Sequence, residues 1–257
     1  MRSRSWSVTA VNLPLLASAM LLATTASAQQ SQYVLPVERG ILESHLDLQY
    51  QYASAGDLNT SILSIEGQLV LAEIIEVGVN VPFLVNDNAT FGSLGEDGAG
   101  FGDVALGAKV RLFGVGDNLG LSAYVNGWLP THSGDMPRDS VTLQGGGAVE
   151  ATLLGFKVGG NVQIISWIRE GDNPVLLGFN GFGRLPIFPL LAIQAAIEYF
   201  NSINPNGDVN ALLITPGIEA SISAIHVGLS ARIATTDEAK SLIGGRVAVL
   251  ANAGLRF

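Results

Sequence analysis

The sequence predicts an all-β fold, a transmembrane antiparallel up-and-down β-barrel of about 12 strands, and three observations predict it. Apolar and polar residues alternate with period two along most of the chain, the half-polar segments recur at nearly constant spacing, and after the first 28 residues no apolar stretch is long enough for a helical span. The best helical candidate, Leu185 to Ile197, contains Pro186 and Pro189 and stops at 13 residues, short of the roughly 18 to 20 that a crossing helix needs.

Composition narrows the class further. Of 257 residues, 48% are hydrophobic and only 14% charged, with 31 Gly and no Cys; an average soluble domain is about a quarter charged. Disorder is excluded by the hydrophobicity. Without Cys there is no disulfide framework, thiolate metal site or Cys nucleophile. A net charge of -9, with 13 basic residues that form no run, excludes nucleic acid as a partner, because phosphates demand clustered Lys and Arg.

Taken in chain order, residues 1–28 read as a signal peptide. Arg2 and Arg4 give a positive start, Leu13 to Thr25 an apolar run, and Ala26-Ser27-Ala28 a small-residue cleavage site. Residues 29–257 are then the barrel domain, carrying a charge of -11. Twelve segments alternate within it: roughly 41 to 52, 60 to 72, 75 to 85, 102 to 113, 119 to 130, 141 to 153, 156 to 168, 175 to 185, 190 to 200, 209 to 220, 225 to 235 and 244 to 257. In the first, Leu42, Leu46, Leu48, Tyr50 and Tyr52 oppose Glu43, His45, Asp47, Gln49 and Gln51, because successive strand side chains point to opposite faces. In the fourth, Val104, Leu106, Val110 and Leu112 oppose Asp103, Lys109 and Arg111.

The connections are expected to alternate, longer polar loops following odd strands and short turns following even ones. That asymmetry belongs to outer-membrane barrels. Aromatic residues fall near the ends of the apolar face: Tyr50, Tyr52, Phe83 and Tyr199 toward the loops, Phe156 and Phe257 toward the turns. The last strand places Val247, Val249, Ala251, Ala253, Leu255 and Phe257 on one face, and a terminal aromatic closing such a row resembles the assembly signal of bacterial outer-membrane barrels. The expected location is therefore the cell outer membrane after signal cleavage. Expected partners are membrane lipid and lipopolysaccharide, the barrel assembly machinery and a small-molecule solute.

The polar face collects the candidate lumen-lining residues: Glu43, His45, Asp47, Glu66, Glu76, Lys109, Arg111, Glu150, Lys157, Arg184, Glu198, Glu219, His226, Arg232 and Arg246. Enclosed charges must be paired or wet. Aligning the third and fourth segments so that Glu76 faces Arg111 sets Gly78 against Lys109 and Asn80 against Gly107. Glu150 and Lys157 flank the shortest turn and must lie opposite or one diagonal step apart, and Glu219 and His226 flank another turn. A structural ladder of ion pairs is the expected role, with no catalytic residue, cofactor or metal. His132, Ser133 and Asp135 are the residue types of a hydrolase triad, but they sit side by side in one loop.

The segment Gly100-Phe101-Gly102-Asp103-Val104-Ala105-Leu106-Gly107-Ala108-Lys109-Val110 resembles a hairpin start found in an outer-membrane transporter-like family named for the meta-cleavage pathway of phenol degradation. Val77 to Pro82 is similar to that family's strand ending in Pro, and Leu129-Pro130-Thr131 to its loop entry, with His132 in place of a Gly. The resemblance implies passage of hydrophobic or aromatic compounds and fixes no substrate residue. Passive transport of small molecules is the reading that follows; a structural or adhesive barrel with a closed lumen is the alternative.

Overall fold

A computed structural model describes residues 39–55, 58–87, 100–115, 118–131, 141–168, 175–203, 209–243 and 245–257. The proposed signal peptide and the His132 to Asp135 loop lie outside them. Twelve long antiparallel strands run in sequence as β1 (His45–Ala55), β2 (Leu58–Leu71), β3 (Ile75–Asp87), β5 (Val104–Val115), β6 (Leu119–Leu129), β7 (Val141–Leu153), β8 (Phe156–Ile168), β9 (Val175–Phe188), β10 (Leu191–Ser202), β11 (Asn210–Ile222), β12 (Ile225–Ala234) and β13 (Val247–Arg256). A two-residue strand, β4 (Gly100–Phe101), pairs with Phe83 and Leu84 of β3. Each long strand pairs with its neighbours in sequence, and β1 pairs with β13 from His45↔Arg256 to Ser54↔Val247, which closes the sheet into a barrel.

Period two decides which face each side chain takes. Leu46, Val79, Leu106, Val110, Val162 and Val249 are all exposed on the outer face, Val110 at 40%, whereas Lys109 beside it is 5% exposed and Glu150 0%. This inverts a soluble protein, and it suits a wall whose outside meets hydrocarbon and whose inside holds the polar groups.

Turns at one end are tight. Leu154 and Gly155 have φ of 53° and 82°, the pair of positive values that a two-residue type I′ hairpin needs to match the strand twist. At the opposite end the first connection differs from expectation: β1 and β2 extend to Ala55 and Leu58, so only two residues join them.

Two elements were not expected. Residues 41–44 precede β1 instead of opening it, because Ile41 and Leu42 are both buried and break the alternation. A short helix, α1 (Asp237–Ile243), fills the connection between β12 and β13. Thr236 caps it by accepting from the Ala239 amide at 3.2 Å, and Asp237 and Glu238 occupy its first turn, where the helix dipole favours acids.

Candidate functional site

The site is the barrel interior, and it is zoned along the axis. Toward the turn end lies a chain of alternating charge. Arg39, ahead of β1, makes a two-pronged pair with Glu150 on β7, Nε to Oε2 at 2.7 Å, and its other guanidinium nitrogen lies 3.4 Å from Glu43. Glu43 in turn meets Arg256 at 3.4 Å, Arg256 meets Glu219 at 3.2 Å, and Glu219 meets Arg184 at 3.0 Å. The network thus links β7, the segment before β1, β13, β11 and β9. Enclosed charges are held only when each has opposite charge and hydrogen bonds at hand, and this chain supplies both.

Three further pairs stand beside it. Lys109 contacts Glu76 at 2.8 Å, and the other Glu76 oxygen accepts from the Glu43 amide at 2.9 Å. His226 lies 2.9 Å from Asp47, and His45 3.6 Å from Glu66. Nearer the loop end Arg232 grips Glu198, Nε to Oε1 at 2.8 Å.

Above the charges runs a belt of amides across β6 to β9. Tyr124 donates to Gln163 at 3.1 Å, Asn126 to Gln144 at 3.2 Å, Asn161 to the Tyr124 hydroxyl at 2.8 Å, and Asn180 to Asn161 at 3.3 Å. A cavity of about 10 Å³ lies beside this belt, bordered by Gln68, Glu76, Lys109, Tyr124 and Asn126. Toward the loop end the inward residues turn apolar: Ile165, Leu176, Phe200 and Leu213 are buried together, and α1 packs its Ala239 and Ile243 against them. On the outer side of α1, Lys240 holds the Asp237 carboxyl below the usual carboxylate range.

The segment before β1 enters the lumen because two glycines let backbones meet. A Cβ on Gly40 would stand 2.4 Å from the Gly120 carbonyl oxygen and 2.5 Å from the Glu150 nitrogen. Ser122 completes the contact, its hydroxyl donating to the Arg39 carbonyl at 3.3 Å.

Most residues expected on the inward face lie there. His45, Asp47, Glu66, Glu76, Lys109, Glu150, Glu198, Glu219, His226 and Arg232 are buried, and Glu43, Arg111, Lys157 and Arg184 half-buried. Arg246 is a correction: it lies exposed in the connection between α1 and β13, because the last strand begins at Val247 and not at residue 244. The register of β3 on β5 is another. Glu76 pairs with Lys109, Gly78 with Gly107 and Asn80 with Ala105, two residues away from the Glu76/Arg111 alignment. A two-residue slip keeps every side chain on its face, so alternation alone does not choose between these registers.

The turn-flanking pairs sit one diagonal step apart. Glu150 opposes Gly159 while Lys157 opposes Thr152, and Glu219 opposes Gly228 while His226 opposes Ser221. Their acids take other partners, Arg39 for Glu150 and the two arginines for Glu219. Arg39 was missed altogether, since it precedes the alternating segments; the one signal is that Arg39-Gly40 adds a cation and a small residue just before a patterned run.

Residues 45–174 match the protein family described as "Putative MetA-pathway of phenol degradation". The chain belongs to this family. Among solved structures it is similar to an outer membrane channel from Pseudomonas putida F1, at 16% identity over 84% of this chain and 96% of that one, with a TM-score of 0.56. It is also similar to the KdgM porin in complex with disordered oligogalacturonate, at 9% identity over 83% of this chain and 99% of that one, with a TM-score of 0.54. At these identities the likeness shows the fold. No curated protein matches this chain in sequence.

Proposed function

We propose that this family member is a passive channel of the cell outer membrane for small molecules, exported by cleavage of residues 1–28, with uncharged apolar or aromatic solutes as the class that the family's description suggests. The observation that carries the reading is a set of buried inward polar atoms with no hydrogen-bond partner among the described residues: both amide atoms of Gln194, the Asn80 Nδ2, the Gln51 Nε2 and the Thr142 hydroxyl. Each such group costs about 1 to 3 kcal/mol when left dry. A lumen built only to be filled would place leucine there, whereas one that admits water and solute keeps amides at little cost.

The second reading, a structural barrel with a closed lumen, is favoured by the small cavity beside Lys109, which has room for about one water. Passage past it requires the segment before β1 and α1 to shift. Purified protein in planar bilayers distinguishes the two readings. Small discrete conductance steps, lowered by Gln194→Leu, are expected of the channel; a silent, correctly inserted barrel overturns it.

A further inference from the structure

The loop-end third of the lumen is built differently from the rest. Ala53 on β1, Ile165 on β8, Leu176 on β9, Phe200 on β10, Leu213 on β11 and Ala248 on β13 point inward and form one buried apolar cluster. Nothing in the ion chain or the amide belt requires apolar residues at this level. Two members of the cluster come from α1 and not from the wall: Ala239 and Ile243, both 0% exposed.

α1 is anchored at its two ends. Its own ion pair is internal, Lys240 to Asp237. It is tied to the barrel on both sides: after it the Ala234 amide of β12 donates to the Arg246 carbonyl at 3.0 Å, and before it two threonines bond to β11. Thr235 donates to the Leu212 carbonyl at 2.7 Å and Thr236 to the Asn210 carbonyl at 3.1 Å. A helix of seven residues has little stability of its own. Between its anchors it is seated by two apolar side chains in an apolar chamber, and burial of apolar surface is non-directional, so any compact apolar group of similar bulk satisfies the chamber equally.

We propose that this chamber is a binding site for an uncharged apolar molecule, aliphatic or monoaromatic, with the bulk of the Ala239 and Ile243 side chains, and that α1 is its displaceable occupant. The molecule takes the seat of Ala239 and Ile243, and α1 lifts outward between its anchors at Thr235–Thr236 and at Arg246. Charged molecules gain little here, since the charges that border the cluster, Glu198 opposite Leu213 and Arg232, already satisfy each other. The inference rests on the channel reading for its purpose, though not for its chemistry.

The absence of native Cys makes the test clean. Full-length protein carrying Ala239→Cys, Leu213→Cys or Glu238→Cys is inserted in vesicles and treated with a membrane-impermeant maleimide, with ethylbenzene or glucose as the probe. Glu238, which is exposed, gives the rate for an open position. Before any probe is added, the other two label at least tenfold more slowly. Ethylbenzene raises Ala239→Cys labelling at least tenfold and leaves Leu213→Cys slow, because the probe covers the wall as the helix departs; glucose changes neither. Should Leu213→Cys fail to fold, Leu176→Cys serves as the wall position. The proposal is overturned if Ala239→Cys ignores ethylbenzene, or if helix and wall positions rise together, which is the sign of a loosened barrel. Conductance measured on the same preparations separates the two readings: a probe response in a silent barrel keeps the site and removes the channel, and a conducting barrel without response does the reverse.

Discussion

Arg39 and Glu150 lie 111 positions apart and meet inside the barrel, the guanidinium of one gripping both carboxylate oxygens of the other, with 2% and 0% of their side chains exposed. The pair fixes a stretch of chain that belongs to no strand against the wall made by β6 and β7. Removing Arg39 leaves Glu150 enclosed and uncompensated, which costs about 3 to 5 kcal/mol, and removing Glu150 leaves Arg39 with the longer Glu43 contact at 3.4 Å, whereas replacing both with apolar residues of similar volume is often neutral. Arg39→Met and Glu150→Leu should each lower folding free energy in lipid vesicles by about that amount, and the double variant should recover most of it. Additive losses would show that the two side chains do not act as a pair.

Gly120→Ala tests the same segment through backbone contact. The added Cβ would stand 2.5 Å from the Gly40 carbonyl oxygen, and that backbone has no way to yield while Arg39 holds it. The segment should leave its seat with the barrel intact, read as higher conductance with unchanged heat-modifiable migration. Unchanged conductance would mean that the segment does not limit passage.

Val110→Arg places a charge on the outer face near mid-strand and should cost about 2 to 4 kcal/mol in lipid vesicles. Lys109→Arg keeps the charge opposite Glu76, so it should cost about 1 kcal/mol or less. Equal damage from both would show that the outer face does not meet lipid.

Phe257 closes the apolar row of β13, and its amide donates to the Ser44 carbonyl at 3.1 Å. Phe257→Ser should sharply reduce the amount of heat-modifiable barrel in outer-membrane fractions, whereas Leu154→Ser, at a fully exposed turn, should not. Equal yields from both variants would remove the terminal residue from assembly.

How much of this was legible follows from what a period of two encodes. It fixes which face a side chain takes, so the outer row from Leu46 to Val249 and the inward row from His45 to Arg232 could be read directly. It does not fix which residue stands opposite which: Glu76 meets Lys109 and not Arg111, and both registers obey the same alternation. Arg39 and α1 were illegible for a different reason. Arg39 acts from outside any strand, and a helix of two turns offers too few residues for its own periodicity to stand out from the strands around it. The apolar loop end was visible only residue by residue, because Ile165, Leu176, Phe200 and Leu213 come from four separate strands and converge only once the sheet is closed.

The seam between β1 and β13 has a consequence for folding. It joins the two strands farthest apart in sequence, so its pairing must wait for nearly the whole chain and bears the largest entropy of loop closure in the barrel. Side-chain contacts gather where that cost falls. Asp47 on β1 receives His226 from β12 and Asn252 from β13, and Arg256 on β13 reaches Glu43 beside the start of β1. Asp47 finds neither partner until the ends approach, and Arg256, which already meets Glu219 on β11, gains Glu43 at the same moment. These contacts across the seam form a latch that rewards the last step and none before it, which should slow reopening of the finished barrel more than it speeds closure.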